Sequence, residues 1–242
     1  MMKRLVLTAA CLALAAGAQI YPGPGMPMGG SSIALVSHGY INSGGAIVTP
    51  GWVTINSTGA NFIVVLETLY QNATVAPSDS NSNTWAQCGS DYISIANNNF
   101  HIGIWYAAHA TVGTSHGIGL SGPTSYSSIY VASFSGLTSS PCTAATNGTT
   151  GGGSPAATLQ PGSITPVSNG SLIVTGDLAY NGSGTGSSTI NSGFTVTDSG
   201  STNTGFAYGG LAYLVQGTGA AINPTWSQAD AELLGAIQVA FK

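Results

Sequence analysis

Residues 62–70 read Phe-Ile-Val-Val-Leu-Glu-Thr-Leu-Tyr, and residues 172–180 read Leu-Ile-Val-Thr-Gly-Asp-Leu-Ala-Tyr. The two stretches align at an offset of about 110 residues, with Glu67 on Asp177 and Tyr70 on Tyr180. Further along, Tyr106 aligns with Tyr213 and Phe134 with Phe241, both at an offset of about 107. The order of elements is kept while a few loop residues are lost. A period this long is not that of a solenoid, whose units are roughly 20–50 residues. It predicts two related sets of four or five strands packed as one sandwich.

The rest of the chain from Ile33 onward reads as short strands between turns. The runs Ile33–Val36, Phe62–Tyr70, Phe100–Ala107, Ser128–Phe134, Leu172–Tyr180, Phe206–Val215 and Gly235–Phe241 are rich in β-branched or aromatic residues. Clusters such as Asn97-Asn98-Asn99, Asn147-Gly148 and Asn181-Gly182 separate them and supply the backbone freedom of turns. Ala229–Ala240 reads as helix or strand, and its ending Gln238-Val239-Ala240-Phe241 alternates as a strand does. The expectation is an all-β, two-sheet sandwich of jelly-roll or Greek-key type with a weak internal two-fold repeat. An outer-membrane barrel is the alternative, because barrels alternate too, but a polar lumen needs charged residues that this chain lacks.

Only 4% of the 242 residues are charged, against roughly 25% in ordinary proteins, while 43% are hydrophobic. Met1-Met2-Lys3-Arg4, the apolar run Leu5–Ala16 and Ala16-Gly17-Ala18 form a secretory signal with cleavage before Gln19. Residues 1–18 are thus a signal peptide, the Pro/Gly-rich residues 19–32 a tether, and 33–242 one domain. A mature chain from Gln19 holds seven acidic residues and one basic, Lys242, for a net charge of −6. Nucleic acid and anionic membrane surfaces need several Lys or Arg, so neither is expected as a partner, and no membrane insertion is expected. Cys88 and Cys142 are the two cysteines of that mature chain, and an even count in an exported protein predicts one disulfide.

The chain also resembles a known family. The stretches that carry the resemblance are Asn61–Tyr70, Ser78-Asp79-Ser80-Asn81-Ser82-Asn83-Thr84-Trp85, Ile104–Ala108 with Gly113-Thr114-Ser115-His116, Ile129–Leu137, Gly193-Phe194-Thr195 and Val239-Ala240-Phe241-Lys242. In their order they are similar to exported bacterial β-sandwich modules of surface proteins and phage-associated proteins, whose function is unknown. The resemblance covers most of residues 45–242. It implies a β-sandwich and an extracytoplasmic or virion setting, and it brings no catalytic residues. Family members often carry Asn where this chain has His109, and Glu where it has Ser133.

Candidate chemistry is sparse. His38, His101, His109 and His116 include no close pair of the H-x-H or H-x-x-x-H kind, so no metal site is expected from them. Asp79, Asn81 and Asn83 alternate like calcium ligands. The EF-hand glycine and glutamate positions are Thr84 and Ser90, so an Asx-rich turn is the expectation. Glu67 and Asp177, at matching places in the two half-repeats, would make a glycosidase pair if the sandwich brought them together. No nucleophile elbow or dinucleotide-binding unit is present, and no cofactor is expected. Aromatics are the better binding candidates. In Phe100–Tyr106, the face Phe100, Ile102, Ile104 and Tyr106 is apolar, and His101, Gly103 and Trp105 lie opposite. Trp105 on an outer face, joined by His101, Trp85 and Tyr126, would stack on a neutral sugar. The reading is of a secreted or cell-surface module of structural or adhesion type, without catalysis. Its partners would be neutral glycans or other surface proteins. Carbohydrate binding through surface aromatics and a glycan-active enzyme are the alternatives.

Overall fold

The computed structural model describes residues 32–42, 51–70, 75–89, 100–122, 127–137, 142–149, 154–180, 187–201 and 207–242. The chain divides after Gly30. The expected signal and all but the last residue of the expected tether lie outside the described residues, as does Tyr126. Among the described residues there are fifteen strands and no helix. They are β1 (Ala34–Asn42), β2 (Val53–Ile55), β3 (Phe62–Tyr70), β4 (Pro77–Asp79), β5 (Ala86–Gln87), β6 (Phe100–Ala108), β7 (His116–Leu120), β8 (Ser128–Ser135), β9 (Ala144–Thr149), β10 (Ala156–Leu159), β11 (Ser171–Tyr180), β12 (Thr189–Ile190), β13 (Thr195–Ser201), β14 (Ala207–Gln216) and β15 (Trp226–Phe241).

The fold is all-β and antiparallel, and it is duplicated. One large sheet has the order β1-β8-β3-β6-β5, with a small sheet β2-β7-β4 beside it. In the second half, β9 and β11 flank the C-terminal part of β15, and β14 and β13 follow β11. The N-terminal part of β15 pairs with β10 and β12 instead. The halves therefore correspond strand by strand: β1 to β9, β2 to β10, and so on through β6 to β14. β7 and β8 correspond to the two parts of β15, which runs through without the intervening loop. The register agrees as well. Val64 pairs with Tyr106 and Phe62 with Phe134, while Val174 pairs with Tyr213 and Leu172 with Phe241. The order 1-8-3-6 facing 2-7-4 is that of a jelly roll made from two Greek keys, with the fifth strand added to the edge of the larger sheet. Neither large sheet closes on itself, so the barrel alternative does not hold.

The two large sheets pack face to face. Phe62, Val64, Leu66, Tyr130 and Phe134 of the first meet Leu172, Val174, Leu178, Ile237 and Phe241 of the second in one core. β6 lies against β15, β8 against β14 and β1 against β13. That is a pseudo-two-fold arrangement about β3 and β11. Tyr106 and Phe241 meet edge-on at 5.2 Å and 60°, and the equivalent pair Tyr213 and Phe134 meet at 5.2 Å and 67°. On the axis a residue meets its own counterpart, and two large side chains would collide there. Leu66 accordingly faces Gly176, where an added Cβ would lie 2.5 Å from the leucine methyls.

Alternation along β3 places the odd residues on the other face. Ile63, Val65 and Leu69 join Ile129, Val131, Val53, Ile55, Ile118 and Leu120 in a separate core under the small sheet. In the second half, Trp226, Ala212 and Ala236 with Leu159, Ile190 and Val196 do the same. The molecule thus has four sheet layers, where the sequence predicted two, and both faces of each large sheet are covered. The Cys88–Cys142 disulfide forms, with its Cα atoms 5.5 Å apart. It joins the end of β5 to the start of β9 and so staples one edge of the central sandwich. At the opposite edge His38 Nδ1 lies 2.9 Å from Asp198 Oδ2, and the Tyr130 hydroxyl donates to the Gly200 carbonyl across 3.0 Å.

Candidate functional site

Among the described residues, Glu67, Asp79, His116 and Asp177 lie inside the two jelly rolls, while His38 and Asp198 meet at the β1–β13 edge. Asp79 ends β4 and points inward with Ile118, its partner on β7. Its carboxylate accepts hydrogen bonds from the amides of Asn81 and Asn83, from His116 Nε2 at 3.1 Å and from Trp85 Nε1 at 2.8 Å. Burial alone would raise the Asp79 pKa; the donors, led by the Asn81 amide and His116, outweigh it and hold the carboxyl below its ordinary value. His116 Nδ1 in turn lies 2.9 Å from Ser57 Oγ. A serine, a histidine and an aspartate are therefore linked in series, which is the composition of a hydrolase triad. The surroundings give it a different role. Ser57 and His116 are fully buried, and Ser57 Oγ also accepts the Gly113 amide at 3.0 Å. A nucleophile must meet a substrate carbonyl, and this oxygen meets only its own protein. The network ties the β2–β3 connection, β4 and β7 together. The same donors surround the oxygens that a calcium ion would need, so residues 79–83 form an Asx-rich turn. Asn83 extends it by accepting the Thr111 amide.

Asp177, on β11, is a buried carboxylate of the second half. Only 2% exposed, it accepts hydrogen bonds from Ser188 Oγ at 2.8 Å and from Gln228 Nε2. Burial dominates and pushes its pKa up to about 7, against the opposing hydrogen bonds of Ser188, the Gly210 amide and Gln228. Further along β15, Glu232 is buried beside Tyr208, and burial pushes its carboxyl up too. Glu67, the repeat equivalent of Asp177, is buried among Ile63, Val65 and Leu69. Glu67 pairs with Gly103 and His101 with Leu69, so Glu67 and His101 are diagonal neighbours on one face. Glu67 and Asp177 do not converge. Each faces outward from its own large sheet, and the central core lies between them, so the pair expected of a glycosidase is not formed.

The aromatic candidates are also placed differently from the sequence reading. His101 is buried and Trp105 half-buried, packed under the small sheet with a buried indole nitrogen. Trp85 is half-buried and held by Asp79. The apolar face Phe100 to Tyr106 is core as expected, but the opposite face is core too. Cys88 and Cys142 are paired as expected.

The large exposed apolar side chains among the described residues are Tyr40, Trp52 and Val167. Tyr40 stacks on Tyr130 at 5.7 Å, beside the His38–Asp198 pair. Trp52 is 47% exposed and stands on the outer face of the small sheet. Val53 and Ile55 point in, so Trp52 and Thr54 point out, which the sequence alternation at 52–55 contained. Its indole lies over Gly117 and Gly119 of β7: a Cβ at Gly117 would sit 2.9 Å from Trp52 Cε3, and one at Gly119 3.6 Å from Cδ2. Thr54 pairs with Gly117, and Ser78 of β4 with Gly119. The described part of this outer face therefore carries glycine, serine and threonine with one aromatic ring. In the second half, β10 carries Thr158 opposite Ser227. An open hollow of about 470 Å³ is lined by Thr158, Leu159, Gln160 and Thr225.

No family model matches the chain, and no curated protein matches it. Among solved structures it has a faint likeness to the VP2 subviral particle of infectious bursal disease virus. The identity is 12% over 86% of this chain and 78% of that one, with a TM-score of 0.15, which carries no argument.

Proposed function

We propose that this chain is an exported, surface-acting interaction module of structural or adhesive kind that performs no catalysis. The observation that carries the reading is the direction of its reactive groups. Glu67, Asp79, His116 and Asp177 all point into jelly-roll interiors and are buried there, while the described part of the β2–β7–β4 outer face presents hydroxyls, glycines and one indole. Such a molecule offers shape and neutral hydrogen-bonding surface rather than a reaction centre. The disulfide agrees with an oxidising compartment. The single basic side chain in the described residues, Lys242, donates to the Asn169 carbonyl, so no basic patch is available for polyanions.

The test is fractionation of the producing cells with intact-mass analysis. The protein should be recovered from the medium or the cell surface, beginning at Gln19 and with both cysteines oxidised. A cytoplasmic product that retains Met1 and two free thiols would overturn the reading.

A further inference from the structure

We infer that the outer face of the β2–β7–β4 sheet is a binding site for a neutral glycan, with the Trp52 indole as its stacking platform; this rests on the interaction-module reading and names the ligand of one of its faces. Three observations converge. First, the ring is seated on the β7 backbone while 47% of the residue stays exposed. Gly117 and Gly119 let the indole lie against the backbone of β7, and any larger residue at Gly117 would lift it. A ring seated on backbone has less freedom to lose when a ligand stacks on it, which lowers the ordering cost of binding. Second, its surroundings match a sugar. A pyranose offers an apolar C–H face to a ring and hydroxyls around its rim. Here Thr54 and Ser78 pair with the glycines under the ring, and the Ser80 hydroxyl accepts the Gly117 amide. Third, among the described residues no ionisable side chain stands on this face: Asp79 and His116 of the same strands point into the core. The face is complementary to an uncharged ligand.

The same facts disfavour a protein partner. A stable protein interface buries about 800 Å² on each side around an apolar centre, and the described part of this face offers one ring. The equivalent face of the second half provides an internal comparison. It is built from the corresponding strands, but β10 pairs with β15 through a register shift and carries Thr158 opposite Ser227, with no exposed tryptophan among its described residues. The glycan should therefore occupy the first face alone.

The experiment is calorimetric titration of the mature, oxidised protein with short neutral oligosaccharides: a β-1,4-glucan, a β-1,3-glucan, a β-1,4-mannan and a β-1,4-linked N-acetylglucosamine oligomer. In parallel, the four indole N–H signals are followed by NMR. At least one sugar should bind, with affinity unchanged between low and high salt. Of the four indole signals, that of Trp52 should move most. Trp52→Ala should weaken binding by about tenfold or more, and Trp52→Phe by less. The thermal midpoint should stay close to the parent's in both, because the ring is half exposed. Absence of binding to every sugar would overturn the proposal, and so would binding that survives Trp52→Ala. Concentration-dependent self-association abolished by Trp52→Ala would assign the face to a second copy instead and overturn it too. A surface-located protein without sugar affinity would sink this site and leave the module reading standing. A cytoplasmic protein that still bound sugar through Trp52 would do the reverse.

Discussion

Replacing Asp177 with asparagine should stabilise this protein at neutral and alkaline pH. Asp177 is buried in the second jelly roll, and its pKa is raised from 3.8 to about 7. The folded state therefore holds a proton there that the unfolded chain releases near pH 4. Between those values the folded state binds more protons, so stability falls as pH rises. The loss is complete above the folded pKa. A difference of about 3 units at 1.36 kcal/mol each gives about 4 kcal/mol. Asparagine keeps the shape and carries no charge at any pH. Ser188 and Gln228 can serve it, since the glutamine amide both donates and accepts. Asp177→Asn should match the parent near pH 4 and exceed it progressively up to pH 8, where the gap approaches that figure. Urea unfolding at several pH values measures this directly. Glu232 is raised in the same direction, so the difference between variant and parent isolates Asp177. The reasoning fails if Asp177→Asn is the less stable protein at pH 8, or if the gap does not change with pH.

Gly176→Ala should cost about 1–3 kcal/mol by overpacking against Leu66, and the same change should be close to neutral in a Leu66→Ala background, a coupling read by a double-mutant cycle. Replacing Cys88 and Cys142 together by serine should lower stability by about 4 kcal/mol, because the bridge closes a loop with a sequence separation of 54, and denaturant unfolding of oxidised parent against variant checks it. His109 holds a left-handed backbone, φ 52°, so His109→Gly should raise the thermal midpoint by the equivalent of about 1 kcal/mol; a lower midpoint would show that the imidazole contributes more than the backbone strain costs.

The long strands were legible because their period and length are unambiguous. Phe62–Tyr70 and Leu172–Tyr180 are strands at the predicted bounds or within one residue, and the apolar tail Ala229–Ala240 is part of a strand that starts at Trp226. The outer sheets were not legible. β2, β4 and β12 have two or three residues, and His116–Leu120 contains two glycines, so neither propensity nor alternation marks them. Their absence from the sequence reading had one large consequence. With two layers, one face of Phe100–Tyr106 must be open, and Trp105 and His101 stand on it. With four layers both faces are packed, and the exposed ring belongs to Trp52, at the entry to a three-residue strand. The Ser57–His116–Asp79 series was equally hidden, since its members are 22 to 59 residues apart and meet only through the pairing of β7 with β2 and β4.

The duplication separates what packing fixes from what is free to differ. In the central sandwich the equivalence is close, because each half is the other's cover: Tyr106–Phe241 and Tyr213–Phe134 repeat the same geometry. On the axis strict repetition is forbidden, and Leu66 opposite Gly176 is the result. The two open edges solve one problem with different chemistry, a disulfide at β5–β9 and hydrogen-bonded side chains at β1–β13. The interiors keep a carboxylate at one position, Glu67 or Asp177, but surround it differently. The outer faces differ between the halves: the first has a tryptophan on glycines, and β10 of the second carries Thr158 opposite Ser227. Where packing imposes nothing, a large exposed indole on a purpose-cleared backbone costs apolar exposure without a structural return. That asymmetry is the reason to look for the ligand at Trp52 and not at the repeat-equivalent carboxylates.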